Sequence, residues 1–219
     1  MWLPIVAGAL RGRWWLPQSR GKILRILGGT YEPEQTRLFQ DHIPAGATVL
    51  DIGAHVGYYT LLASVLAGAG GRVCAFEPDP MNHAFLRRHI ALNHLGNVAV
   101  ENVAVSDRGG TASFAFGTGS GTGRLDAGGT LAVRTVRLDD YCRASGLAPG
   151  FLKIDVEGAE LNVLRGAAEV IGSHHPVIFL STHGAAIHGE CLAWLRERAY
   201  TLRPIVGDHV EATSEVLCT

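Results

Sequence analysis

The chain predicts an α/β fold: a doubly wound, mostly parallel, Rossmann-like sheet with helices on both faces, an inserted β-hairpin and an N-terminal helical extension. Three observations carry that expectation. Short β-rich apolar runs alternate with segments whose apolar residues recur at helical spacing, the pattern of repeated βαβ units. Three of those runs end on a carboxylate, Asp51, Glu77 and Asp155, at the strand end where open α/β sheets bind ligands. The 219 residues suffice for one sizeable core without requiring two domains. Residues 1–40 are therefore expected to form an extension or lid, and residues 41–219 a single α/β domain.

The first stretch, MWLPIVAGALRGRWWLP, opens apolar, but Pro4 interrupts it, Arg11 ends it, and the positive charge follows the run instead of preceding it. Neither a signal peptide nor a membrane span is expected there. A helix packed on the domain is the plain reading; Trp2, Trp14 and Trp15 beside Arg11 and Arg13 offer a contact with a membrane surface or an apolar substrate as the alternative. After Glu32, PEQTRLFQDHI is a polar helical stretch, and ATVLDIG is the first strand. A helix on YYTLLASVLAGAG, a strand on RVCAFEP, a helix on MNHAFLRRHIALNHLG and a strand on NVAVENVAV complete a βαβαβ series.

From Ser106 the pattern changes. SDRGGTASFAF, the Gly/Thr-rich FGTGSGTGRLDAGGT and LAVRTVRLDDY predict a hairpin or strand-rich insertion with a mobile tip, because glycine repeated this often cannot pack a core. FLKID then forms the fourth strand, GAELNVLRGAAEVI a helix, PVIFL the fifth strand, GECLAWLRERA a last helix, and YTLRPIV and EVLCT two terminal strands.

Nineteen Lys and Arg against twenty Asp and Glu give a net charge of −1, with the basic residues scattered except near the start, so no nucleic-acid partner is expected. The four cysteines are far apart and form no CxxC pair, which argues against a zinc site and a disulfide scaffold and makes a reducing cytoplasm the simplest home.

Asp51-Ile52-Gly53-Ala54-His55-Val56-Gly57 falls at the first strand-to-helix turn, where glycine permits close backbone approach and the following helix presents free N–H groups. Its glycines are four apart, so it is not the GxGxxG of dinucleotide sites, and a purely structural turn is the plainer alternative. Glu77 closes the second strand, where a carboxylate can accept both hydroxyls of a ribose; the alternative is a surface carboxylate before Pro78. Asn102 and Asp107 are adenine-side candidates or turn formers. LKIDVEGAE sets three carboxylates within six residues: Asp155 should project into the ligand crevice, while helix capping can account for Glu157 and Glu160. His183, just past the fifth strand, has the placement and intrinsic pKa for a general base; a structural histidine that only hydrogen-bonds its loop is the alternative. His89, His94, His174 and His175 lack such placement and are expected at the surface.

VLDIGAHVGYYTLLAS, VCAFEPDP, TVRLDDY and LKIDVEGAE, in this order, resemble the FkbM-type family of S-adenosylmethionine-dependent methyltransferases, and GGTYEPE, residues 28–34, resembles the segment that often precedes the family's first strand. The resemblance implies a class I methyltransferase fold, S-adenosyl-L-methionine as cofactor, and methyl transfer to a small-molecule acceptor, usually at a hydroxyl of a sugar or natural-product scaffold. Carried over by position, Asp51, Gly53 and Gly57 would line the methionine portion of the cofactor, Glu77 its ribose, and Asp155 the reacting end. Tyr31, Glu32, His55 and Asn102 complete the expected cofactor-binding set, with Asp155 and His183 as the expected catalytic pair. The chain departs from the family pattern at His55, where Asn is commoner, and at Ser181, where the fifth strand commonly ends in Glu.

A metal is not expected. Asp155, Glu157 and His183 could supply ligands, but few hard ligands converge and Ser181 replaces a carboxylate. The rival readings are an NAD-type oxidoreductase on the same sheet, which lacks GxGxxG, and a non-catalytic cofactor-binding partner protein. Homodimerisation is left open.

Overall fold

The computed structural model describes residues 1–19, 22–117 and 123–219. The chain opens with a two-stranded antiparallel ribbon, β1 (Leu3–Pro4) and β2 (Trp14–Trp15), followed by helices α1 (Ile23–Leu27) and α2 (Pro33–His42). The expected helix over the first residues is thus replaced by a ribbon. Pro4 disfavours a helix there, and Gly8 and Gly12 take positive φ of 76° and 85°, which lets the chain reverse.

Next come β3 (Thr48–Ile52), α3 (Tyr58–Ala67), β4 (Arg72–Phe76), α4 (Pro80–Leu92) and β5 (Val98–Glu101), the expected βαβαβ series. The predicted third strand is shorter than NVAVENVAV. It leaves the main sheet at Glu101, and Ala104–Val105 becomes β6 of a second sheet with β7 (Gly110–Ala115), β8 (Arg124–Leu125) and β9 (Leu131–Val136), in the order β6-β9-β7-β8. Of the two readings of the stretch from Ser106, the strand-rich one holds: β7, β8 and β9 join β6 in this sheet, and β7 and β9 form its antiparallel centre. Of the Gly/Thr-rich loop 116–130, for which a mobile tip is expected, residues 118–122 lie outside the described residues.

Helix α5 (Leu138–Ser145) follows, in place of the end of the expected insertion; Asp139 and Asp140 in its first turn and Gly146 after its end are the signals that mark it. Then come β10 (Phe151–Ile154), α6 (Glu160–Gly166), α7 (Ala168–His174), β11 (Val177–Ser181), α8 (Ala185–Arg196), β12 (Leu202–Pro204) and β13 (Glu215–Cys218). The single helix predicted on GAELNVLRGAAEVI is two, broken where the Ser106 carbonyl approaches Gly166 so closely that a Cβ would lie 2.0 Å from it.

The main sheet runs β12-β13-β11-β10-β3-β4-β5, parallel throughout except that β13 is antiparallel to both its neighbours. Alternate strand residues face opposite sides: Leu50, Ile52, Leu152 and Ile154 join one core cluster, and Val49, Val73, Phe151 and Phe179 the other. Both faces are covered, which is why the strands read as continuous apolar runs.

His89 is fully buried in α4, not at the surface as expected. Its Nδ1 pairs with the Val56 carbonyl at 2.7 Å, its Nε2 accepts the Leu16 N–H at 3.0 Å, and its ring stacks on the fully buried Trp15 at 3.9 Å. Asn93 bonds both the N–H and the carbonyl of Trp14, so two polar side chains of α4 fasten the ribbon to the domain. Burial lowers the His89 pKa to about 4, keeping the ring neutral. Phe39 of α2 packs against Tyr59, Phe151 and Phe179, tying the next segment to the same core. All four cysteines are buried and free. Among the described residues no helix is long and apolar enough to cross a membrane.

Candidate active site

The chain runs outward from β3 through β4 to β5 and then returns to place β10 on the other side of β3. Strand order reverses there, and the crevice at the carboxyl ends of β3 and β10 is where this architecture binds ligands. A cavity of about 440 Å³ opens at that point. Gly53 makes the approach possible: it sits at φ +79°, and a Cβ on it would fall 1.8 Å from the Asp155 carbonyl oxygen.

His183 forms the centre of the reacting end. Glu160, fully buried at the start of α6, accepts the Gly158 N–H at 3.0 Å and pairs with His183 Nδ1 at 2.8 Å. With Glu160 as a carboxylate, Nδ1 carries the proton and Nε2 is left to accept. Nε2 lies 3.4 Å from Glu157 and 3.8 Å from Asp155, and all three side chains line the cavity. The hydrogen bond to Glu160 raises the His183 pKa above its ordinary value despite partial burial, and the Asp155 and Glu157 charges add to the rise. Burial also raises the Glu157 pKa; His183 opposes that shift and Asp155 and Glu160 reinforce it. Glu157 and Glu160 therefore do more than cap a helix. His188, also near this edge, has both ring nitrogens engaged, by Thr182 and the Val210 carbonyl.

Lys153 is a site residue that motif reading passed over, though a lysine in the middle of the apolar strand FLKI is itself a signal. It is 3% exposed, donates to the Gly53 carbonyl at 2.7 Å, and lies 3.4 Å from Asp51 and 3.5 Å from Asp155. Burial alone would lower its pKa, but the two carboxylates outweigh burial and raise it. Asp51 also accepts the Thr60 hydroxyl at 2.6 Å. It is buried behind the cavity wall and braces Lys153 and α3, while Gly53 and His55 line the cavity directly.

Glu77 lines the far wall, accepting the backbone N–H of His55 at 2.8 Å and of Asp79 at 3.0 Å. Burial pushes its carboxyl up to about 7, against the pull of those two donors. Asn102 donates to the carbonyls of Glu77 and Pro78, holding that turn from behind. Asp107 instead pairs with Ser106 and Arg108, away from the lining. Gly57, at φ +100°, abuts Leu86 and starts α3 without lining the cavity.

Tyr31 and Glu32 close the side nearest the N-terminal segment, with Lys22 beside them. Glu32 accepts the Tyr59 hydroxyl, and Tyr58 meets Thr36 at 3.0 Å. Burial raises the pKa of Tyr31 and Tyr59, with the Glu32 charge adding to both shifts, so both stay phenolic. Ser181 lines the cavity, and its cross-strand partner Glu215 brings a carboxylate to the same corner. Sequence spacing gave no hint of that, because β13 reaches β11 only through the sheet.

Among the described residues, five carboxylates, Glu32, Glu77, Asp155, Glu157 and Glu215, line the cavity against two lysines, Lys22 and Lys153, an excess that suits a cationic ligand. The cleared backbone at Gly53 and the Glu77 carboxyl at the wall fit a nucleoside bearing a positively charged substituent. Asp155, Glu157 and His183 also offer ligand atoms within 4.8 Å of one another, a spacing that would admit a metal ion.

The methyltransferase FkbM domain family matches residues 51–202. The chain is 27% identical over 164 residues to the hexuronic acid methyltransferase AglP of Haloferax volcanii, covering 74% of this chain and 66% of that protein. It is 30% identical over 193 residues to the 31-O-demethyl-FK506 methyltransferase FkbM of Streptomyces tacrolimicus, covering 72% of this chain and 74% of that protein. A solved structure of a methyltransferase FkbM from Methylobacillus flagellatus KT superposes with a TM-score of 0.57 at 20% identity, covering 90% of this chain and 52% of that one, a likeness of fold. The chain thus spans just under two thirds of the first of these proteins and about half of the third.

Proposed function

The chain belongs to the FkbM family of methyltransferases, and from that premise we propose that it transfers a methyl group from S-adenosylmethionine to a hydroxyl oxygen of a sugar or natural-product scaffold. The observation that carries the reading is His183, held at Nδ1 by buried Glu160 while Nε2 faces the cavity between Asp155 and Glu157. The activities named for the two relatives support the class of acceptor: a hexuronic acid supports a sugar, and 31-O-demethyl-FK506 supports a hydroxyl of a natural-product scaffold. No support exists there for an NAD-type oxidoreductase or a non-catalytic partner.

The cofactor supplies an electrophilic methyl group whose leaving group is a neutral thioether. When the cofactor is bound, Glu77 would accept its ribose hydroxyls and Gly53 and His55 would hold its methionine portion, while Tyr31 and Glu32 of the extension, residues 1–40, would cover the cavity they line. Asp155 and Glu157 balance the sulfonium charge, and Lys153 holds Asp155 in place. His183 Nε2 takes the acceptor proton as the oxygen is methylated, and Glu160 stabilises the imidazolium that results. No metal is needed when the base is already in place. The four free cysteines support a reducing, cytoplasmic setting.

Calorimetry and product analysis test the reading together. S-adenosylmethionine and its demethylated product should bind and NAD should not, and mass spectrometry of a panel of sugars and macrolides should find a product one methylene heavier. Tight NAD binding without an S-adenosylmethionine signal overturns it.

A further inference from the structure

Residues 1–31 carry five basic residues, Arg11, Arg13, Arg20, Lys22 and Arg25, and no Asp or Glu, so this segment holds +5 of a chain whose total is −1. The remaining 188 residues therefore carry −6 (−1 minus +5, over residues 32–219). The ribbon adds a second feature. Leu3, Ile5 and Trp15 turn inward, whereas Trp2, Pro4, Val6 and Trp14 turn outward, with the two outward Trp side chains 55% and 40% exposed. Outward positions of a strand are normally polar; here they form an apolar face with Pro4 paired across to Trp14. Val6 bonds to the Leu27 carbonyl of α1, which brings exposed Leu24 and Arg25 alongside. Among the described residues, none of Arg11, Arg13, Lys22 and Arg25 forms an ion pair.

We propose that this face docks the protein peripherally on an anionic lipid surface. Tryptophan rings favour the headgroup boundary, and unpaired cations gain from anionic lipid. The acidic remainder of the chain would be repelled by the same surface, so only the ribbon side can approach and the orientation is set. A second copy of the chain is the less suited occupant, since two partly exposed Trp rings and two aliphatic side chains fall well short of the roughly 800 Å² per partner of a stable interface.

The test is sedimentation of the full chain with phosphatidylcholine vesicles, with and without about one third phosphatidylserine. Binding is expected only to the anionic vesicles, with a blue-shifted Trp emission, and is lost in about 1 M salt, where the Debye length is about 3 Å. The double variant Arg11→Gln/Arg13→Gln should lower the partition coefficient at least about tenfold, and Trp2→Ser/Trp14→Ser should abolish the blue shift. Circular dichroism and an unchanged melting temperature establish that each variant is folded; should the Trp variant fail, quenching of wild-type Trp emission by brominated lipid supplies the same readout. Absence of binding, equal binding to neutral vesicles, or self-association that the Trp variant abolishes would overturn the proposal.

Discussion

Glu160→Gln isolates the charge behind His183 without changing side-chain shape. The carboxylate sits 2.8 Å from Nδ1 and is fully buried, so no water can replace it. Asp155 and Glu157 cannot substitute, because they face Nε2 at 3.8 and 3.4 Å. A hydrogen bond to a charged group is worth about 1.5–3 kcal/mol, which at about 1.4 kcal/mol per decade predicts a fall in kcat of roughly 10- to 150-fold. Removing the base itself, His183→Ala, should cost about 10²- to 10⁴-fold. The sign with pH follows from the raised His183 pKa. Nε2 accepts a proton only when the ring is neutral, so kcat should climb with pH through that raised value, and Glu160→Gln should move the climbing limb to lower pH while lowering its plateau. Initial rates by mass spectrometry across the pH range, with an NMR titration of the His183 ring, measure both. A variant whose limb and ring titration stay where they were, with loss only in stability or KM, would refute the assignment of Glu160 as the group that positions and charges the base.

Three other outcomes follow from the same geometry. Glu77 titrates near 7 in the folded chain against 4.5 unfolded, so the stability it contributes is present below pH 4.5 and lost as pH rises through about 7. Ribose hydroxyls donate to the ionised form, so calorimetry should find cofactor affinity rising across that window, and Glu77→Ala should weaken binding by about 1.5–3 kcal/mol. His89, lowered to about 4, has the opposite sign: its contribution is present above pH 6.5 and lost as pH falls through about 4, up to about 3 kcal/mol, and Trp15 emission should report the ribbon detaching in that interval. Activity should survive treatment with EDTA; loss restored by a divalent ion would convert the Asp155, Glu157 and His183 group into a metal centre.

Periodicity and strand-end chemistry determined the larger part of the fold from sequence alone. The alternation of apolar runs with helical segments specified the parallel sheet, and of the carboxylates that close those runs Glu77 and Asp155 reach the cavity, whereas Asp51 stays buried behind its wall and Gly53 beyond it lines the cavity instead. What spacing cannot supply is the identity of a neighbour across the sheet. Lys153 finds Asp51 because β10 lies beside β3, a pairing 102 residues apart (153 minus 51), and Glu215 reaches Ser181 because β13 inserts antiparallel beside β11. Glu160 and His183 meet only when α6 and the end of β11 converge, and His89 is buried only because the ribbon folds back over α4. The two-residue period of a strand tells which face a side chain takes; which charge it meets there depends on strand order, and strand order is settled by the packing of the whole sheet.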